Sequence, residues 1–159
     1  MDDLFSKCSN LSAVATSSIL SLLFREGTKG FKSLTVLNTD MLPRILTPNA
    51  DGIGNYVNLT SRNRLGVEIR GNYRRLDLSG ARILNGPLYA DDSRADEVLL
   101  STAVVPHGID LTELYTQMLT GRGVKTNRLT VTHNHGTIDV SGSEIEQFNL
   151  HAYPLHLIL

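Results

Sequence analysis

From Cys8 to Phe24 the chain runs seventeen residues without a charged side chain, and seven of its first twenty-one residues are Ser or Thr. Leu4, Cys8, Leu11, Ala15, Ile19 and Leu22 recur at steps of three and four, the spacing of one stripe along a helix. Glu26-Gly27 reads as the stop, because Gly accepts the left-handed conformation that ends many helices. The opposite face carries Ser12, Thr16 and Ser21, small hydroxyls where a helix facing water would carry Lys and Glu. This predicts a helical segment over residues 1–27 that is covered on more than one side, with Ser12, Thr16 and Ser21 in an interface. The run is marginal in length and too rich in Ser and Thr for a membrane span.

Beyond Gly30 the pattern becomes extended. Leu34 and Val36 suggest a first strand. Leu65, Val67 and Ile69 alternate with Gly66, Glu68 and Arg70, and Leu76 and Leu78 alternate with Arg75 and Asp77 across Gly71-Asn72, which reads as a hairpin. Val98 to Val105 forms a longer apolar strand. Asp110, a good cap with Glu113 three residues on, opens a short helix with Leu111, Leu114, Tyr115 and Met118 on one face. Leu129 to Thr132 and Thr137 to Val140 read as a strand pair about His133–Gly136, with a helical turn over 143–148 and a closing strand over 150–159. Pro154 marks that last strand as an edge or bulged strand. No internal repeat is evident. The expected architecture is a single α+β domain over residues 1–159: a helical segment over 1–27, then a mainly β segment over 31–159 forming a largely antiparallel sheet with one or two short helices. An all-β sandwich with appended helices is the alternative.

The size fits one domain able to bury roughly 70% of its unfolded surface. With 15 basic and 16 acidic side chains there is no global field to draw the chain to nucleic acid or anionic lipid. Eleven of the basic residues are Arg and four are Lys, a bias that suits interfaces, where Arg is enriched. The lone Cys8 excludes an intrachain disulfide and a multi-Cys zinc site and suits a reducing compartment. The acidic Met-Asp-Asp opening lacks the basic region of a secretion signal. The expected setting is the cytoplasm or the interior of a particle.

Three groups of residues invite chemistry. Arg62, Arg64, Arg70, Arg74 and Arg75 fall within fourteen residues that contain one acid, Glu68, and mark an interface for protein or, alternatively, nucleic acid. Asp91, Asp92, Asp96 and Glu97 follow closely and offer countercharge, within the fold or on a neighbouring subunit. His133, His135 and Asp139 have spacing that a metal-dependent enzyme would use, two imidazoles on one face of a strand with a carboxylate nearby; a polar turn explains the same residues. Gly52-Ile-Gly54 and Gly121-Arg-Gly123 match no complete phosphate-loop fingerprint, and no G-x-S-x-G nucleophile elbow occurs. No catalytic or cofactor signature is complete. The pattern favours a non-enzymatic structural or interaction protein that self-associates or docks into a larger assembly, of which a virus or phage particle is one example.

Overall fold

Every strand pairing that the computed structural model gives among the described residues is parallel, and each strand's partner lies about one fixed interval along the chain. The structure describes residues 45–159 in full and residues 12–16 and 33–37 as backbone strands. In chain order the strands are β1 (Ser12–Thr16), β2 (Ser33–Leu37), β3 (Ile45–Leu46), β4 (Ile53–Asn55), β5 (Thr60–Ser61), β6 (Val67–Asp77), β7 (Arg82–Ile83), β8 (Leu88–Leu99), β9 (Val104–Val105), β10 (Ile109–Thr120), β11 (Lys125–Asp139), β12 (Glu144–Leu150) and β13 (His156–Ile158). β1 and β2 pair with each other; the remaining eleven form one sheet wound into a parallel β-solenoid.

Val67 lies opposite Leu88, Leu88 opposite Ile109, Ile109 opposite Leu129 and Leu129 opposite Phe148, steps of 21, 21, 20 and 19 residues. Each step is one turn of the solenoid. Parallel strands require a crossover connection, and here the rest of the coil supplies it without a helix.

A five-residue rhythm builds these coils. Between Leu88 and Val131 the buried positions come in pairs two apart: Leu88/Ala90, Ser93/Ala95, Val98/Leu100 and Ala103/Val105, then Ile109/Leu111, Leu114/Thr116, Leu119/Gly121, Val124/Thr126 and Leu129/Val131. Successive pairs start five residues apart, except for one extra residue before Ile109. Within a pair the chain alternates as a strand must; between pairs two consecutive residues face outward and the chain turns a corner. Four pairs complete a coil, so the interior is a stack of aliphatic rungs. Val67, Leu88, Ile109 and Leu129 form one such column, and Leu76, Val98, Leu119 and Ile138 another, all at most 2% exposed.

One corner keeps the same backbone through five coils. Asn58, Gly80, Thr102, Gly123 and Gly142 occupy equivalent positions with φ of 57°, 69°, 60°, 69° and 65°. Leu59, Ala81, Ala103 and Ser143 each donate their N–H to the carbonyl three residues back, the bond that closes a β-turn. In the remaining coil the Ser143 hydroxyl takes over, donating to the Gly121 carbonyl and accepting from the Val124 N–H. The corners also bond from coil to coil: Asn58 donates to Ser79, Gly80 to Ser101, Thr102 to Arg122 and Gly123 to Ser141. The backbone ladder therefore continues through the turns.

At the N-terminal side of the described solenoid two buried phenols fasten the chain. Tyr56 donates to the Thr47 carbonyl at 2.7 Å and Tyr73 to the Leu46 carbonyl at 2.6 Å. Burial pushes both hydroxyls far above the usual phenol range, so they remain donors.

This architecture overturns the expected α+β class and its antiparallel sheet: no helix occurs among the described residues, and the all-β alternative had the class right but a sandwich in place of a solenoid. Residues 12–16, expected to be helical, are strand; Ser21 and the rest of the expected helix lie outside the described residues. The expected hairpin about Gly71-Asn72 is the single strand β6, which bends at Gly71, φ 104°, and runs on. The expected helix at Asp110 is β10: Leu111 and Leu114 point inward, but Tyr115 and Met118 are exposed, which a single helical face would not allow. The strand pair about His133–Gly136 is one strand, β11, and the helical turn over 143–148 is β12.

Candidate functional site

Of the five arginines, Arg70, Arg74 and Arg75 lie on β6, while Arg62 and Arg64 occupy the loop before it; all five are exposed. Because the next coil stacks directly on β6, the acids of β8 fall beside them. Arg70 donates to Asp91 at 2.9 Å and to the buried Glu68 at 2.6 Å, and Arg75 lies 3.5 Å from Glu97. Lys125 and Glu144 repeat this rung-to-rung pairing further along at 3.0 Å. The countercharge for Arg70 and Arg75 thus comes from the same chain one coil on. These exposed pairs contribute little stability each, and they lower the net positive charge of the arginine cluster.

The histidines lie on β11. His133 and His135 project outward because Asn134 between them turns inward, where Gly136 N–H donates to its Oδ1 at 3.1 Å. His133 stacks on Tyr115 of the neighbouring coil, ring centres 4.2 Å apart and planes 12° from parallel. Asp139 does not join them. Its Oδ1 accepts from the Ser141 hydroxyl at 2.7 Å and the Ser141 N–H at 3.1 Å, and its Oδ2 from Arg122 Nε at 2.6 Å. The Ser141 hydroxyl, then Arg122 and the Ser141 amide, hold its carboxyl below the usual range. Asp139 is a latch between adjacent corners. Among the described residues no three His, Cys, Asp or Glu side chains gather closely enough to hold a metal ion.

The C-terminal coil is where the repeating pattern breaks. β12 and β13 pair with β11 on one side, and among the described residues no strand pairs with them on the other. Leu157 sits opposite Ile138, in the column whose four earlier members, Leu76, Val98, Leu119 and Ile138, are 0% exposed; Leu157 is 42% exposed. Ile145, Phe148 and Leu150 pack on the core while remaining partly open. Leu155, Ile158 and Leu159 are also exposed, and Tyr153 is 95% exposed. Apolar side chains and an unpaired strand edge thus share one surface. The sequence signal was present, since the five-residue rhythm continues through Ser143/Ile145 and Phe148/Leu150, but it points to an open end only once the coils are stacked.

Comparison with protein-family models, with characterised proteins and with solved structures finds no match for this chain. No helix among the described residues is long and apolar enough to cross a membrane.

Proposed function

We propose that this protein is a non-enzymatic interaction component that self-associates, and that its joining surface is the C-terminal end of the solenoid. One observation supports the reading: among the described residues, an interior column closed at four successive coils is open at the fifth. Inside the solenoid each coil offers the next a row of backbone hydrogen-bonding groups and a rung of aliphatic side chains. A partner that satisfies the open end must present both together, and another β-coil does so. A second copy of this chain carries such a surface, and strand edges are natural templates for pairing with one another. The ion pairs that Arg70 and Arg75 make within the chain weigh against a phosphate-binding role for that cluster, and the latch at Asp139 weighs against a metal centre with His133 and His135.

Light scattering tests this on the intact chain, with Leu155→Glu and Leu157→Glu as the perturbations. At about 10 µM, a concentration at which contacts of micromolar Kd are populated, the wild type is expected at a multiple of 17.5 kDa. Leu155→Glu, on an exposed loop, reduces the mass to one chain without unfolding it, and Leu157→Glu does the same more completely. A wild type that stays monomeric at ten times that concentration refutes the reading. So does an oligomer that both variants leave intact.

A further inference from the structure

The arginine cluster read from the sequence divides between two sides of the solenoid. Arg70, Arg74 and Arg75 lie on β6, where β8 sets acids opposite Arg70 and Arg75. Arg62 and Arg64 belong to another side, the one built from β5, β7, β9 and the start of β11. Four stacked segments make up this side and its corner: residues 60–65, 82–87, 104–108 and 125–128. They contain five Arg or Lys, namely Arg62, Arg64, Arg82, Lys125 and Arg128, and no Asp or Glu. All five side chains are exposed. Thr60 lies opposite Arg82, Arg82 opposite Val104 and Val104 opposite Lys125, and Asn85 Nδ2 donates to the Arg62 carbonyl at 3.0 Å.

We infer that this side binds the sugar–phosphate backbone of a double-stranded nucleic acid without reading its sequence. The inference goes beyond self-association and does not depend on it. On the β6–β8 side, cations meet anions from one coil to the next; here the sign stays positive until Glu144 and Glu146 on the last coil. Arg64, Arg82 and Arg128 make no ion pair among the described residues. The whole chain carries a net charge of −1, so attraction is confined to this side and fixes which way the molecule faces a polyanion.

Geometry selects the ligand. Three steps of about 4.8 Å separate the first of these coils from the fourth, about 14 Å in all, and one strand of a duplex passes about four phosphates in that distance. Four of the five cations are Arg, whose planar fork suits phosphate oxygens. Arg82, Lys125 and Arg128 stand on paired strands, so the row is fixed before a ligand arrives. Among the described residues no helix stands on this side to enter a groove, so base edges go unread. The four segments contain no Phe, Tyr or Trp on which unpaired bases would stack. A lipid surface is broad and flat, whereas this basic row is narrow and ends at Glu144, opposite Lys125; a line of phosphates fits it better.

The test is fluorescence anisotropy of the full chain with a labelled DNA duplex of about 20 base pairs, in two unrelated sequences, from about 50 to about 200 mM salt. Binding is expected with Kd below about 10 µM at the lowest salt and equal within about threefold for the two sequences. The logarithm of the binding constant falls against that of salt with a slope of about −3, the mark of about three to four phosphate contacts. Arg82→Ala with Arg128→Ala weakens binding at least about tenfold and flattens the slope by about two, whereas Arg82→Lys with Arg128→Lys keeps the charge and stays within about threefold. Arg74→Ala with Arg94→Ala removes the same charge from elsewhere on the solenoid and also stays within about threefold. All these side chains are exposed, and an unchanged circular dichroism spectrum verifies that the fold survives. Absence of binding at about 100 µM chain and the lowest salt overturns the proposal, as does an equal loss in the two double-alanine variants. Tighter binding of single-stranded oligothymidylate, or of equimolar phosphatidylserine–phosphatidylcholine vesicles, than of the duplex also overturns it, in favour of that ligand.

Discussion

Thr102 is expected to be the weakest member of the corner column, and replacing it with Gly should stabilise the protein. It holds φ at 60°, and its neighbours in the adjacent coils, Gly80 and Gly123, adopt the same conformation without a side chain. For an L-residue the left-handed region costs about 1–2 kcal/mol, and for a β-branched side chain it is a true outlier. Gly removes that cost but gives back about 0.5–1 kcal/mol through its greater freedom in the unfolded chain. Thr102 is exposed, so little packing is lost. The net gain is about 0.5–1 kcal/mol, or about 1–4 °C in melting temperature for a chain of this length. Two substitutions in the same column supply the opposite sign. Gly142→Ala meets nothing within 4 Å, so it carries the conformational cost alone, about 1 kcal/mol of destabilisation. Gly80→Ala would also bring a Cβ against Asn58 Oδ1 and should cost more. Urea denaturation followed by far-ultraviolet circular dichroism gives all three on one baseline. A destabilising Thr102→Gly, or a Gly80→Ala milder than Gly142→Ala, would refute the claim that backbone conformation governs this corner.

Two further outcomes follow from the latch and the phenols. The Asp139 carboxyl is held below its ordinary value, so its contribution is present above the unfolded-state value of about 4 and is lost as pH falls through the lower folded-state value. Urea midpoints measured from neutral to strongly acidic pH should therefore fall less steeply in Asp139→Asn than in the wild type, and identical profiles would sink the assignment. Tyr73→Phe removes the 2.6 Å bond to Leu46 and is expected to cost about 1–3 kcal/mol, with hydrogen exchange rising at Leu46 and Thr47 before the central coils; uniform acceleration would contradict that local role.

The reason so little of this fold was legible lies in the spacing of its inward residues. In β10 the positions Ile109, Leu111, Leu114, Thr116 and Leu119 step by two, three, two and three. Steps of two imitate an ordinary strand, and a step of three beside a cap such as Asp110 imitates a helix. Short stretches therefore imitate a hairpin at Gly71 and helices at Asp110 and Ser143, and only the five-residue rhythm that runs through all of them reveals the coil. Small or polar inward residues hid it further: Ser93, Ala95, Thr116, Gly121 and Thr126 occupy rungs that a search for apolar residues passes over. The strand at Leu34–Val36 is readable, because it depends on local propensity alone, whereas the closing strand expected over 150–159 is interrupted: Pro154 lies in the loop between β12 and β13, where its missing N–H costs no ladder bond. The local pattern puts Tyr115 on a helical face with Leu111, and its stack with His133 follows only from a fold in which residues eighteen apart are neighbours.

The rhythm has a consequence for how the length of such a chain can change. Removing five residues from the stretch between Leu88 and Val131 would keep every later side chain facing inward or outward as before, yet shift all of them by one side of the solenoid. Arg94 would no longer share a column with Tyr115, and the glycines of the left-handed corner would arrive at a side that needs an ordinary turn. Removing a whole circuit, such as residues 88–108, restores both alignments at once, because Ile109 then meets Val67 as Leu88 did. Growth and shrinkage of this molecule are therefore quantised in single circuits, and any cluster that spans neighbouring strands, the Tyr115–His133 stack included, is gained or lost a rung at a time.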